Sequence, residues 1–308
     1  MADANRTQLA YILEDTPGTT PAGNLRTMPR TGGQINPNQE GIRSQIIRSD
    51  LKTGQPVRTS QTGGGGVNYE LRFGDLDDIF RGILLNDWTA DTPAAGSDQL
   101  VDGTDRVTFT FEEQHLDVDQ YLVYRYAMVS SLSLSLQLQA IATGSFDVLA
   151  TAVELNQVSL GTTDPAPGAE SMNTVDMVTD VQEGGAAVGA LTGVEVNLAR
   201  NLRLQMEIGQ LAARGIGLGA LTIEGTMSRY FEDETQLDQY LAYATRSFEA
   251  EFTDQAGNVL HLELPNLKYQ GEASVNKQGT DSDVIAQIPF EAFGEAEDMI
   301  RITRTPAV

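Results

Sequence analysis

The residues of this chain whose types could do chemistry are the run Gly63–Gly66, two histidines and several close-set acids. Consecutive glycines can cradle a phosphate, but that needs a following Gly-Lys-Ser/Thr and a helix N-terminus. Here the glycines run into VNYELRF, which reads as a strand, so they predict a mobile turn. His115 and His261 are the only histidines, and neither has a second ligand at metal spacing. His261 lies in the alternating NVLHLEL, on the opposite face from Leu260 and Leu262. The chain has no cysteine, hence no thiolate nucleophile, disulfide or thiolate metal ligand, and no G-x-S-x-G frames a serine. Asp75, Asp77 and Asp78 lack the glycine and terminal glutamate of an EF-hand loop. They predict helix capping and dipole pairing, with Asp75 as N-cap. Glu232, Asp233 and Glu234 stand the same way before a second helix, with Asp233 as its cap. Asp117 and Asp119 read as solvated loop acids, a Ca²⁺ contribution being the other reading. No catalytic constellation and no cofactor or metal site is predicted.

The elements that would hold these residues come from a chain of 308 residues, 40% hydrophobic, long enough for one large domain or two ordinary ones. Its net charge is −23 and its pI near 4.3. That argues against gripping nucleic-acid phosphates or an anionic membrane surface. No apolar run approaches 18 residues, and the N-terminus lacks the basic and apolar regions of a secretory signal. The expectation is a soluble species.

Residues 1–45, with prolines at 17, 21, 29 and 37, predict an extended arm carrying a short strand near Ala10–Leu13. GDLDDIFRGILL (74–85) predicts a helix with Leu76, Ile79, Phe80 and Ile83 on one face. RVTFTFE (106–112), YLVYRYAMV (121–129) and SFDVLATAVEL (145–155) predict strands. Residues 161–190 lose periodicity and carry no Lys or Arg, which predicts an acidic, Gly/Pro-containing linker. Strand patterns resume at VEVNLA, with a short helix at TQLDQYLAYA (235–244).

Residues 130–140, SSLSLSLQLQA, alternate with period two. Leu132, Leu134, Leu136 and Leu138 take one face; Ser131, Ser133, Ser135, Gln137 and Gln139 take the other. The polar face carries no charge within a strongly acidic chain.

The two halves echo each other. Residues 50–85 and 205–244 each run Gly-Gln, glycine-rich loop, strand, aromatic residue, acidic cap and helix. Three or four strands follow in each, in the same order. A period of about 155–161 residues is too long for a solenoid and predicts two copies of one β-rich domain, 46–160 and 191–308.

YILEDTPGTTPAG (11–23), the turn, strand and acid-capped helix of GGVNYELRFGDLDDIFRGILLNDW (65–88), the polar strand running into TGSFD (130–147) and IPFEA (288–292) occur in order along the chain. Together they resemble the long-tailed bacteriophage tail tube proteins. The resemblance implies a mainly β fold: here a tandem pair of tail-tube-like β-sandwich/barrel domains, each with one short flanking α-helix. It implies a structural virion protein, not an enzyme, assembled in the cytoplasm of an infected bacterium. Family sheets join side by side into rings, and rings stack into the hollow tail that conducts DNA. One-domain subunits make hexameric rings; duplicated ones make trimers with pseudo-sixfold symmetry, and the echo favours the trimer over a six-copy ring. The implied partners are further copies, the tape-measure protein and viral DNA in the lumen, and tail completion and distal tail proteins, with no membrane. A conduit must not hold DNA, and three chains of −23 carry −69. Ser131, Ser133, Ser135, Gln137 and Gln139 are therefore candidate lumen residues, an ordinary exposed sheet face being the other reading. Gln55, Arg58, Gln61, Gly63, Gly64, Gln210 and Arg214 fall in loops predicted to stack rings. Competing readings are a baseplate or receptor-binding β-protein, a secretion-system tube and a secreted β-sandwich glycosidase.

Overall fold

Alternating stretches such as Phe109/Phe111 against Thr108/Thr110 form strands because extended chain sends successive side chains to opposite faces. In this computed structural model, which describes residues 3–50, 52–168, 170–232, 234–276, 283–295 and 297–307, such strands dominate. The first half contains β1 (Thr7–Glu14), β2 (Leu25–Met28), β3 (Gly32–Gly33), β4 (Asn36–Arg43), β5 (Pro56–Glu70), α1 (Asp77–Leu84), β6 (Asp98–Val101), β7 (Thr108–His115), β8 (Gln120–Gln137) and β9 (Thr143–Asn156). Then come β10 (Thr163–Asp164), β11 (Val178–Glu183), β12 (Ala186–Ala187), β13 (Leu191–Arg200), β14 (Arg203–Gln205), β15 (Gly215–Gly217) and β16 (Leu221–Tyr230). The rest is α2 (Thr235–Ala242), β17 (Arg246–Thr253), β18 (Val259–Tyr269), β19 (Ser274–Asn276), β20 (Ile285–Ala292) and β21 (Arg301–Thr305).

The antiparallel pairings of the first half run β4–β5–β9–β8–β7–β1. Those of the second run β13–β16–β20–β18–β17–β11. The halves join at two seams. At one, β8 pairs with β13, from Ser131↔Ala199 to Gln137↔Gly193. At the other, β6 pairs with β21.

Between the seams lies α1. Its Ile79, Phe80, Ile83 and Leu84 are buried against β8, β13 and β6, as the apolar spacing predicts. Burying each such side chain contributes roughly 1.5–3 kcal/mol. The core continues from Tyr11, Phe109 and Phe111 through Leu132 and Leu134 into Val194, Val196 and Ile223, so both halves share it. Arg200, at the end of β13, donates from Nε to the Ile83 carbonyl at 2.8 Å and from Nη2 to the Leu84 carbonyl at 2.9 Å. It satisfies carbonyls that the last turn of a helix leaves open. By contrast, α2 lies at the surface, with Leu241 and the adjoining Tyr243 exposed.

Several expectations change. Much of the expected N-terminal arm is core: β1 pairs along its length with β7, and Leu9 and Tyr11 are buried. Prolines 17, 21 and 29 lie between strands rather than in them, so they do not oppose pairing. The continuously exposed run within 1–45 begins at β4. Gly63–Gly66 are not a turn but lie within β5, paired with β9. A Cβ at Gly63 would stand 2.5 Å from the Tyr124 ring, so the strand needs glycine there to approach it. Residues 161–190, expected as a linker, contribute β10 beside β2 and β11 beside β17, with Met172 and Met177 buried. The polar strand stops at Gln137: Leu138 is exposed, and Gln139 sits in a turn with φ +52°. Finally, α1 starts at Asp77 with Leu76 at the N-cap position, and Asp75 does not cap it. Glu234 is the N-cap residue of α2 and makes no side-chain capping bond; Asp233 lies outside the described residues.

Candidate assembly surfaces

Ser131, Ser133, Ser135 and Gln137 point away from the core side of β8, while Leu132, Leu134 and Leu136 are buried, as the alternation predicts. Their neighbours across β9 are Asp147, Ser145 and Thr143. Across the seam they are Ala199, Asn197, Glu195 and Gly193. The next strands add Thr222, Glu224, Thr226 and Ser228 from β16, then Glu291, Pro289 and Gln287 from β20. On the other side β5 adds Gly66, Asn68 and Glu70. One polar face thus crosses six strands and both halves without interruption.

Its electrostatics are one-signed. Glu70, Asp147, Glu195, Glu224 and Glu291 are the charged residues on these six strands' polar positions, and none forms an ion pair among the described residues. A base, Lys268 on β18, stands opposite Glu291 at the edge of the face. Short hydroxyl bonds order the surface: Ser131 Oγ donates to Asp147 Oδ2 at 2.7 Å, and the Ser133 and Ser145 hydroxyls stand 2.9 Å apart. Two depressions mark it, one lined by Asn197, Glu224 and Glu291, the other by Gln137, Glu195 and Ser228. The sequence signal for the acids on β13 and β16 was the same period-two pattern, in VEVNLA and LTIEG. What the pattern lacks is the seam that sets them beside the serines.

Two hairpins form a second surface. One consists of β4 and the first part of β5, joined by residues 44–55. All of β4 and Pro56–Thr59 are exposed, including Ile42 and Val57, as are Ile46 and Ile47 in the connection between them. The other spans 201–220 and contains β14 and β15, with Met206, Ile208 and Leu211 exposed. Gln55 and Arg58 lie toward the first tip; Gln210 and Arg214 are exposed on the second hairpin. The structure brings the hairpins together: the Gln61 N–H donates to the Leu211 carbonyl at 2.9 Å, and the Ala213 N–H to the Thr151 carbonyl at 3.2 Å. Arg106 Nη1 anchors β15 through the Ile216 carbonyl at 2.6 Å. Gly63 and Gly64 belong to the sheet below the hairpin rather than to a loop.

The acids of α1 divide their work. Asp75 accepts from the Gly168 N–H at 2.6 Å and pairs with Arg72, tying residues 161–190 to the first half. Asp78 accepts from Arg26 Nη1 at 2.6 Å, Arg81 and Tyr11. Asp77 pairs with Arg304, which also pairs with Asp98 and lies over the Trp88 ring at 4.5 Å. Burial pushes the Asp75 and Asp77 carboxyls above their ordinary range, against the pull of these cations. The Arg304 pairs lie at the β6–β21 seam, whereas the Asp78–Arg26 pair holds α1 to β2. Among the described residues no group of three or more His, Cys, Asp or Glu is placed to hold a metal ion, and no helix is long and apolar enough to cross a membrane.

A family model described as phage tail tube protein matches residues 4–292, nearly the whole chain. No curated protein matches the sequence. The chain belongs to the phage tail tube protein family: it is a structural, β-rich component of the virion tail that assembles with further copies of itself into a tube, and it is not an enzyme.

Proposed function

We propose that this tail tube protein forms closed rings whose inner wall is the polar face running across β5, β9, β8, β13, β16 and β20. The observation that carries the reading is the content of that face: hydroxyl and amide groups with five acids outside any ion pair among the described residues and no base at these strands' polar positions, Lys268 of β18 standing at its edge. Such a wall is hydrated and repels a polyanion, whereas Lys or Arg would exchange counterions with phosphates and hold the DNA. The lumen then carries the tape-measure protein during assembly in the infected cell and DNA during genome ejection, binding neither tightly, and the tube ends meet tail completion and distal tail proteins.

Each ring contains three chains. Supporting this is the common order of strand pairing in the two halves, as expected of a tandem duplication in which each chain supplies two ring units. The two hairpins, with apolar side chains at exposed positions, supply stacking contacts to the next ring. Exposed apolar groups on a soluble subunit mark contact surfaces. Mass photometry and electron microscopy of the purified chain test the reading. The expected particle has three times the 33.2 kDa chain mass, a central hole and a tendency to stack. A six-chain mass would replace the trimer; a compact monomer under all conditions would remove the ring.

A further inference from the structure

The seam inside the chain has an unfilled counterpart. In the first half, Ser131–Gln137 follows the part of β8 paired with β7, and its outer edge takes β13. The corresponding stretch of the second half follows the part of β18 paired with β17. It comprises Lys268–Gln270 and, beyond a bulge at 271–273, Ser274–Asn276. Ser131 faces Asp147 as Lys268 faces Glu291, and Ser135 faces Thr143 as Ser274 faces Gln287. Among the described residues this stretch is paired on one edge only, with β20.

The strand position of β13 has its own counterpart in the first half. Glu291↔Glu224 corresponds to Asp147↔Gly66, which sets Thr222 against Gly64. Ala199 faces Thr222 and Asn36 faces Gly64, so β13 corresponds to the stretch around Gly32–Asn36. That stretch is likewise paired on one edge only, with β5, among the described residues. A second observation agrees. In the first half α1 is covered by β13, while α2 leaves Leu241 and Tyr243 exposed beside the unfilled edge; Tyr243 bonds Gln270 itself.

Resting on the ring reading above, we infer that the edge Lys268–Ser274 of one copy pairs antiparallel with Gly32–Asn36 of a second copy, in the register of the internal seam. Ser131↔Ala199 carries over to Lys268↔Asn36, Ser133↔Asn197 to Gln270↔Gln34, and Ser135↔Glu195 to Ser274↔Gly32. The contact is head to tail, so it generates a closed ring when its rotation matches that of the internal seam. Pairing removes two open sheet edges that would otherwise invite irregular association. The second copy also covers α2, as the second half covers α1.

The native chain has no cysteine, which makes cross-linking specific. Gln34→Cys/Gln270→Cys, treated with a short bismaleimide, is expected to give covalent closed rings of three; an equal mixture of the single variants is expected to stop at covalent pairs. Ser133→Cys/Asn197→Cys, a directly facing pair of the internal seam, is expected to bridge within one chain. Gln39→Cys/Gln270→Cys, displaced about 17 Å along an extended strand, is expected not to bridge. Rings that persist by mass photometry without a 34–270 bridge, or that bridge as readily through 39–270, overturn the register and leave the ring reading standing. A chain that forms no rings overturns both. If the double variant alone fails to assemble, the mixed single variants read the same contact.

Discussion

Arg200 reaches from the last residue of β13 to the carbonyl of Ile83, 2.8 Å away in the final turn of α1. The same guanidinium bonds Leu84, so one side chain from the second half finishes a helix of the first. Burial lowers its pKa and Asp102 opposes that, but arginine remains charged. Hydrogen bonds to charged groups are worth about 1.5–3 kcal/mol, so Arg200→Ala is expected to cost at least that much. Arg200→Lys should recover only part, lacking the planar fork. Urea unfolding midpoints check this; a loss below about 0.5 kcal/mol, within the range of ordinary surface changes, would mean that the cap is incidental.

Gly82 sits inside α1, where alanine is ordinarily better by up to about 1 kcal/mol. A Cβ there would stand 2.7 Å from Phe109 Cε2 and 2.9 Å from Val129 Cγ2. Overpacking a filled core costs about 1–3 kcal/mol, so Gly82→Ala is expected to destabilise despite its helix propensity. Gly189→Ala, with nothing within 4 Å, serves as the neutral comparison. A Gly82→Ala variant with a raised melting temperature would show that α1 can shift away from the sheet.

Asp77 gives a pH dependence of definite sign. Burial raises its carboxyl pKa, with Arg304 opposing, so the folded chain holds the proton to higher pH than the unfolded chain does. That contribution is complete below the unfolded value of about 3.9 and is lost as pH rises through the raised folded value. Asp77→Asn abolishes the titration. The stability of the native chain relative to Asp77→Asn should therefore fall as pH climbs above about 4, measured by denaturant unfolding at a series of pH values. A difference that is flat or grows with pH contradicts the assignment.

The polar face predicts where added bases would matter. Ser133→Lys/Glu195→Lys/Glu224→Lys reverses its sign without touching the buried side of the sheet. Assembled tubes of this variant should bind short linear DNA with an affinity that falls steeply with salt, and should ignore closed circular duplex, which cannot thread a bore. Native tubes should retain neither. Equal retention of linear and circular DNA by the variant would put the face on the outside.

Local pattern revealed what local physics determines. The leucines of β8, the alternation of β7 and the apolar face of α1 were legible because burial period follows backbone geometry. Asp75 was misread because its partner, Gly168, is 93 residues away. Gly63–Gly66 read as a turn because nothing near them announces Tyr124. The seam itself was invisible: alternation says which way Ser133 points, but not that Asn197 lies beside it.

The join between β8 and β13 has a thermodynamic consequence. Two separate proteins that dock give up translational and rotational freedom, a loss of about 4–15 kcal/mol at standard concentration. Here residues 138–190 already tether the partners, so this junction closes by a unimolecular step indifferent to dilution. In a three-membered circle only every second joint would respond to protein concentration, and the threshold for closure drops accordingly.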